Sequence, residues 1–216
     1  MAQACHSAIK EHAFRKMPSR GVRDVCYWLL VGLMTASHAV ALDPKDLKKL
    51  NSVGHCVECD LTDANFSEWD LRGVDLRGAD LVRSDLRRSQ LQGIDLRGAF
   101  LMNANLTGAD LERADFFMAN VSDAVFISTN LHDVDFSKAM MMKVDFTNAI
   151  LTKAHFFAAD LSHAKFDNAN LEDAYFFQAN LTDADLSSAV VANADFQGAI
   201  FCRTAMPWGQ DNSGCE

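Results

Sequence analysis

Proline is nearly absent from this chain and is missing from its central part. Only three of the 216 residues are proline, at positions 18, 44 and 207, so none lies between residues 61 and 201. Proline cannot donate a backbone hydrogen bond and is excluded from the interior of sheets. Its absence therefore favours a long, continuous ladder of backbone hydrogen bonds. The 49% hydrophobic content and the lack of a low-complexity linker predict a single domain.

Basic residues and histidines are also in short supply. The formal net charge is -9, and without the first 41 residues 15 basic residues face 27 acidic ones, for a net charge of -12. Such a surface repels phosphate backbones, which predicts no direct nucleic-acid binding. Only four histidines follow residue 41, so the chain offers little material for acid–base catalysis.

What the chain has instead is a strict five-residue repeat. From Leu61 to Phe201 every fifth residue is a large apolar side chain, twenty-nine times without a break. We call these the central residues; all are Leu or Phe except Val121, Met141 and Val191. A small residue lies two positions before nearly all of them, usually Ala, with the variants Ser84, Ile94, Thr129 and Val134. Five-residue steps would spread the apolar positions around a helix, so an all-β solenoid is predicted.

Glycine and phenylalanine give the size of one coil. All six glycines in the repeat lie two residues after a central residue, where a tight turn requires positive φ: Gly73, Gly78, Gly93, Gly98, Gly108 and Gly198. Central phenylalanines recur every twenty residues at 116, 136, 156, 176 and 196, and a leucine column runs in the same way from Leu71 to Leu171. Four repeats therefore make one coil.

These units resemble the pentapeptide-repeat family, whose repeats look like A(D/N)LXX. The matching segments include ADLVR (79–83), ANLTG (104–108), ADLER (109–113) and ANLED (169–173). The resemblance covers roughly residues 59–206 and implies that family's right-handed quadrilateral β-helix, here with about seven coils. The small and central residues would point inward.

The first 41 residues have the features of an export signal. Basic residues at 15, 16, 20 and 23 precede an apolar stretch at 25–36, and Ala39-Val40-Ala41 supplies the small residues that a signal peptidase recognises. We predict cleavage after Ala41, with Met17 as a possible true start, and a periplasmic or extracellular product without a stable membrane anchor. An uncleaved anchor is the alternative, although the apolar run is short for a membrane span. Cys26 lies at the start of that run and not after it, which argues against a lipoprotein.

The remaining cysteines lie near the two ends of the repeat. The rod separates Cys56 and Cys59 from Cys202 and Cys215 by far more than a disulfide allows, so any bridge must be local. We predict a Cys202–Cys215 bond that pins the tail, residues 207–216, over the last coil. This tail resembles the C-terminal caps of secreted members of the pentapeptide-repeat family. Pairing of Cys56 with Cys59 stays open, because Cys59 occupies a small inward position where a free thiol also fits.

The segment before the repeat is interpreted as a cap, residues 42–58, in which Asp43 begins a short helix over the first coil. Its CVEC motif (56–59) also suggests more specific functions, such as a redox, haem or zinc site. A thioredoxin-like redox site needs a βαβ context, a c-type haem needs His where Asp60 stands, and a zinc site needs more ligands than His55 provides. A structural cap explains more residues, so we predict no metal site and no cofactor.

The repeat usually has Asp or Asn directly before the central residue. Four such residues form an outward column: Asp75, Asp95, Asp115 and Asp135. Asp135 and His155 are expected one coil apart on one face, close enough to pair. A base without an evident nucleophile or pocket is weak support for catalysis. We therefore expect no catalytic residues.

Aromatic side chains break the polar pattern on this same face. The segments DFFMA, HFFAA and YFFQA place rings outward, and apolar outward side chains mark interfaces. We call this predicted contact surface the aromatic patch: Phe117, His155, Phe157, Tyr175 and Phe177. Met118, Met140 and Met142 near the adjoining corner would widen it. Scattered surface aromatics are the alternative, since Ser137 and Lys138 interrupt the column.

Two classes of function follow. The first is a non-catalytic, exported structural or protein-interaction scaffold that contacts an unknown protein partner, or a second copy, through the aromatic patch. The second follows from the resemblance, because some acidic pentapeptide-repeat proteins are DNA-mimicking, topoisomerase-binding inhibitors. That function requires a cytosolic protein, so export separates the two.

Overall fold

A computed structural model describes Leu50 and residues 54–215. The predicted signal peptide lies outside the described residues, and of the predicted N-terminal helix only Leu50 is described, which is helical and 5% exposed. From His55 to Ala205 the backbone forms a four-sided β-helix, in which every fifth residue makes a parallel bridge to the residue twenty positions later. The bridges run from His55 with Asp75 to Asp185 with Ala205. The prediction that four repeats make one coil is confirmed.

Backbone hydrogen bonds join each coil to the next. In the repeat around Leu81, the Leu81 N–H donates to the Phe100 carbonyl at 2.7 Å, and the Asp80 N–H donates back to the Cys59 carbonyl at 2.9 Å. Two residues beyond Leu81, Arg83 N–H also donates forward, and Ser84 N–H closes the turn onto the Leu81 carbonyl. Four of the five amides in this repeat are therefore used by the backbone itself, which explains why proline is excluded.

The corner of each repeat, two residues after the central residue, has left-handed backbone. Gly98 adopts φ 65°, and all six glycines predicted to turn this way do so. The same corner imposes φ 56° on Arg88 and 52° on Ala158, although left-handed backbone costs a non-glycine residue roughly 1–2 kcal/mol. Glycine is thus favoured at the corner without being required, because the hydrogen bonds on either side hold the turn.

The central and small residues fill the interior as predicted. Central residues from Leu61 to Leu186 are at most 3% exposed. Polar variants of the small residue are buried as well, and two of them bond to carbonyls inside the rod. The Ser89 hydroxyl donates to the Leu86 carbonyl at 2.6 Å, and the Thr129 hydroxyl donates to the Leu106 carbonyl at 3.0 Å.

Two columns of phenylalanine meet in the middle of the later coils. The predicted column from Phe116 to Phe196 faces a second column, Phe126, Phe146 and Phe166, two repeats away around the coil. Rings stack within a column, as in Phe156 and Phe176 with centroids 4.7 Å apart. Rings meet edge to face across the core, as in Phe126 and Phe136 at 86°. This facing column was not predicted, although its twenty-residue spacing is visible in the sequence.

The only strands longer than a single bridge in the described residues form a hairpin at the C-terminal end. Strand β1, Thr204–Met206, pairs antiparallel with β2, Gly209–Asp211. Cys202 and Cys215 are disulfide-bonded, with Cα atoms 4.7 Å apart, and Gly214 N–H donates to the Phe201 carbonyl at 2.7 Å. The tail is therefore folded back onto the last coil. Cys56 and Cys59 are also bonded, at the opposite end.

Replacing Phe146 by Ala tests the interior. The ring is fully buried and stacks on Phe126 and Phe166, both at 5.2 Å, so its loss should lower the free energy of unfolding by about 3–5 kcal/mol. Phe157→Ala is the matched surface control and should change stability by only about 0.5 kcal/mol. Denaturant titration followed by circular dichroism measures both. Equal losses would contradict the inward and outward assignment.

Candidate contact surface

The outward residue before each central residue controls the local turn. Where it is Asp or Asn, its Oδ1 accepts a hydrogen bond from the N–H two residues later, the amide that the backbone ladder leaves unused. Asn105 Oδ1, for example, accepts from Thr107 N–H at 3.0 Å and from the Thr107 hydroxyl at 2.7 Å. The predicted aspartate column does the same, as Asp95 does for Arg97 N–H. These columns are turn caps as well as solvated surface.

One side of the rod carries the aromatic patch, and we call it the His55 face. Its column contains His55, Asp75, Asp95, Asp115, Asp135, His155, Tyr175 and Asp195. The early coils of this face hold an ionic ladder. Arg77 lies 2.8 Å from Asp75 and 3.6 Å from Asp95, and Arg97 lies 2.5 Å from Asp95 and 3.4 Å from Asp115. The arginine hydrogen bonds hold the pKa values of Asp75 and Asp95 below their ordinary value. The charges on this half of the face largely neutralise one another.

The ladder ends at Asp115, where the face changes character. Burial raises the pKa of Asp115, and the neighbouring charge of Asp135 adds to the effect. Phe117, predicted to point outward, is half-buried, and Lys138 Nζ lies 5.5 Å from its ring centroid. Ser137 fills the same position one coil later, so Phe117 is two coils, about 10 Å, from the next ring of its column. Phe117 is therefore set apart from the rest of the aromatic patch.

The other four residues of the patch form two stacked pairs side by side. The His155 and Tyr175 rings lie 4.9 Å apart at 11°, and the Phe157 and Phe177 rings lie 5.9 Å apart at 9°. Tyr175 is 45% exposed, and Phe157 and Phe177 are each 38% exposed. Because the rings stack along successive coils, they turn their edges, which carry the positive part of the ring quadrupole, towards solvent.

The predicted pairing of His155 with Asp135 is not what the side chains do. The two residues are bridged one coil apart, as expected, but the carboxylate within 4.0 Å of His155 Nε2 belongs to Asp133. Asp135 is held in its own turn, where Oδ1 accepts from Ser137 N–H at 2.8 Å. Asp133 lies at the preceding corner and reaches the ring instead.

Sequence reasoning missed most of a second set of exposed apolar residues, of which it named only Met140. Five of them stand directly before a central residue, where most repeats have Asp or Asn: Phe100, Met140, Ile150, Val190 and Ile200. Phe100 and Met140 lie on the face that follows the His55 face, next to the exposed Met118 and Met142. The signal is readable in the sequence, because each of these residues replaces a turn-capping side chain.

Within residues 54–215, no three His, Cys, Asp or Glu side chains are grouped so that they could hold a metal ion. The same part of the chain contains no helix of the length and hydrophobicity that a membrane span needs.

Comparison with known families agrees with this geometry. The family profile described as Pentapeptide repeats (8 copies) matches residues 59–98, 84–123, 119–156, 154–191 and 179–206, which together cover more than half of the chain. The chain belongs to the pentapeptide-repeat family. The predicted right-handed quadrilateral β-helix, the fold of pentapeptide-repeat proteins, is thereby confirmed.

Several solved pentapeptide-repeat structures are similar to this chain. HetL, involved in heterocyst differentiation regulation in the cyanobacterium Nostoc sp. strain PCC 7120, is 24% identical over 72% of this chain and 90% of its own, with a TM-score of 0.40. A thylakoid-lumen protein from Arabidopsis thaliana is 28% identical over 46% and 69%, with a TM-score of 0.45. QnrB1, a plasmid-mediated fluoroquinolone resistance protein, is 22% identical over 67% and 78%, with a TM-score of 0.48. A search of curated proteins found no match.

The end of the ionic ladder gives a pH-dependent prediction. Because folding raises the pKa of Asp115, the folded state loses stability as pH rises through that pKa and the carboxylate forms. Asp115→Asn keeps the cap on Phe117 N–H and should raise the melting temperature at pH 7. The gain should largely disappear at about pH 3, where the wild-type carboxyl is mostly protonated in both states.

Asp95→Asn is the matched control with the opposite sign. Folding lowers the pKa of Asp95, so its ionised form stabilises the folded state above the unfolded pKa, and the substitution should lower the melting temperature at pH 7. Thermal melts of both variants at the two pH values test the assignment. A shift of the same sign in the two variants at pH 7 would contradict it.

Proposed function

We propose that this pentapeptide-repeat protein is a non-catalytic, exported scaffold that binds a protein partner, or a second copy of itself, through the aromatic patch. The observation that carries the proposal is the pair of exposed ring stacks, His155 with Tyr175 and Phe157 with Phe177, on a rigid side of the rod. The acidic charge disfavours nucleic acid, so the proposed partner is a protein.

The fold does not require the exposed rings of the aromatic patch. The interior already has its own complete aromatic columns, and the backbone ladder continues through these coils with ordinary bonds, such as Phe156 N–H to the Tyr175 carbonyl at 2.8 Å. Other coils of the same face fill the equivalent positions with Asp and Arg, and the rod continues unchanged. Large apolar side chains held in fixed positions lose little conformational entropy on binding and are enriched in the cores of interfaces.

The neighbourhood of the stacks adds polar groups to this apolar surface. Asp133 beside His155 and the capping carboxylate of Asp135 lie on one side, and Asp195 follows Tyr175 in the column. An apolar centre with a polar rim is the usual composition of a protein interface, and here the rim is acidic. We expect a partner that presents apolar or aromatic side chains surrounded by basic residues.

The double substitution Phe157→Ser and Phe177→Ser tests the contact surface. Both rings are outward, so the circular dichroism spectrum and melting temperature of the rod should stay nearly unchanged, while self-association in sedimentation or recovery of a partner in pull-down should fall at least about tenfold. Ile150→Ser with Val190→Ser is the matched control, since it removes exposed apolar surface elsewhere and should leave binding intact. Unfolding of the first variant would place its rings in the core, and unchanged binding would remove the patch from the proposal.

Export is proposed on two grounds. The leader sequence ends in Ala39-Val40-Ala41, and both ends of the described rod carry disulfides, which persist in oxidising compartments. A periplasmic or extracellular location follows. A topoisomerase-binding role would need a cytosolic product, where these disulfides would be reduced.

Intact mass spectrometry of the protein from its native host tests processing. The expected species begins at Leu42 and carries two disulfides, so reduction should add the mass of four hydrogens. A product that retains residues 27–36 would contradict export and favour the topoisomerase-binding alternative.

A further inference from the structure

Three exposed methionines lie along the face that follows the His55 face: Met118 at the corner where this face begins, Met140 on the face itself and Met142 at its opposite end. Met118 is 59% exposed, Met140 is 49% and Met142 is 42%. We call them the methionine cluster. Every cysteine in the described part of the chain is in a disulfide, so thioethers are the reduced sulfur that this part of the protein presents to solvent. Exposed thioethers are readily oxidised.

The repeat sorts neighbouring methionines into two environments. In the run Met140-Met141-Met142, the outer two point to solvent, whereas Met141 is a central residue with 0% exposure. Met206, under the C-terminal hairpin, is 2% exposed. The same side chain is thus about half exposed at positions 140 and 142 and fully buried at position 141.

The cluster can change chemically without disturbing the rod. Met140 takes part in the ladder only through its backbone, by donating to the Ala119 carbonyl at 2.9 Å and accepting from Val121 N–H at 2.8 Å. Met142 likewise accepts from Asp123 N–H, and Met118 donates to the Ser137 carbonyl. An oxygen atom added at any of the three exposed sulfurs breaks none of these bonds.

We propose that Met118, Met140 and Met142 form a modification site that a hydroperoxide oxidises reversibly to methionine sulfoxide. Each thioether sulfur attacks the peroxide, gains one oxygen and is oxidised by two electrons, while the O–O bond breaks and water or an alcohol leaves. Sulfoxide is polar, so the reaction converts this apolar surface, which includes Phe100, into a polar one. Reduction of both sulfoxide epimers restores it.

Peptide mapping after limited treatment with hydrogen peroxide tests the site. Oxidation at Met118, Met140 and Met142 should be at least about tenfold faster than at Met141 and Met206, because buried sulfur reacts only when the structure opens. In denaturant the rates should become equal. Comparable rates at Met140 and Met141 in the folded protein would overturn the proposal.

A second measurement follows the consequence of oxidation. Retention on a hydrophobic interaction column should fall after peroxide and recover after treatment with the two classes of methionine sulfoxide reductase, while the melting temperature stays unchanged. The triple variant Met118→Leu, Met140→Leu and Met142→Leu should keep its retention under peroxide, since Leu is apolar and is not oxidised. Loss of retention in that variant, or a fall in melting temperature that accompanies wild-type oxidation, would refute the assignment.

Discussion

Backbone hydrogen bonds between neighbouring coils are the constraint on which the rest of the structure depends. Each central residue donates forward to the next coil and each preceding residue donates back to the previous one, at 2.7–3.1 Å in most repeats. The distance along the chain is fixed at twenty residues per coil, so equivalent side chains lie directly above one another. The inward columns, the corners with positive φ and the exclusion of proline all follow from this register.

The same register separates the core from the surface. Because inward positions are filled by the central and small residues, the outward positions are free to vary without loss of packing. The His55 face shows this directly, since an ionic ladder in the early coils gives way to stacked rings at His155, Phe157, Tyr175 and Phe177 on an unchanged backbone. Such a surface can vary from coil to coil while the packing of the rod beneath it is kept.

The fold could be predicted from the sequence because its signal is periodic and repeated many times. The surface could be predicted only in part, since outward contacts depend on side-chain geometry. Phe117 was expected among the exposed rings but is half-covered beside Lys138. His155 was expected to pair with Asp135, whose carboxylate is occupied by its own turn. The facing phenylalanine column and the exposed Phe100 were overlooked, although their signals, a second twenty-residue spacing and the loss of a turn-capping residue, are both present in the sequence.

Native-state hydrogen exchange, resolved by residue with NMR, tests the ladder most directly. In most repeats that have a coil on each side, the backbone bonds protect four amides and leave the one directly after the central residue to a side-chain cap. The ladder predicts a five-residue pattern from residue 80 to residue 186, with fastest exchange at that position. Thr107, whose amide is capped by Asn105, should exchange more slowly than Phe157, which follows His155 and lacks an Asp or Asn cap. Uniform protection, or fastest exchange at central residues such as Leu106, would contradict the account.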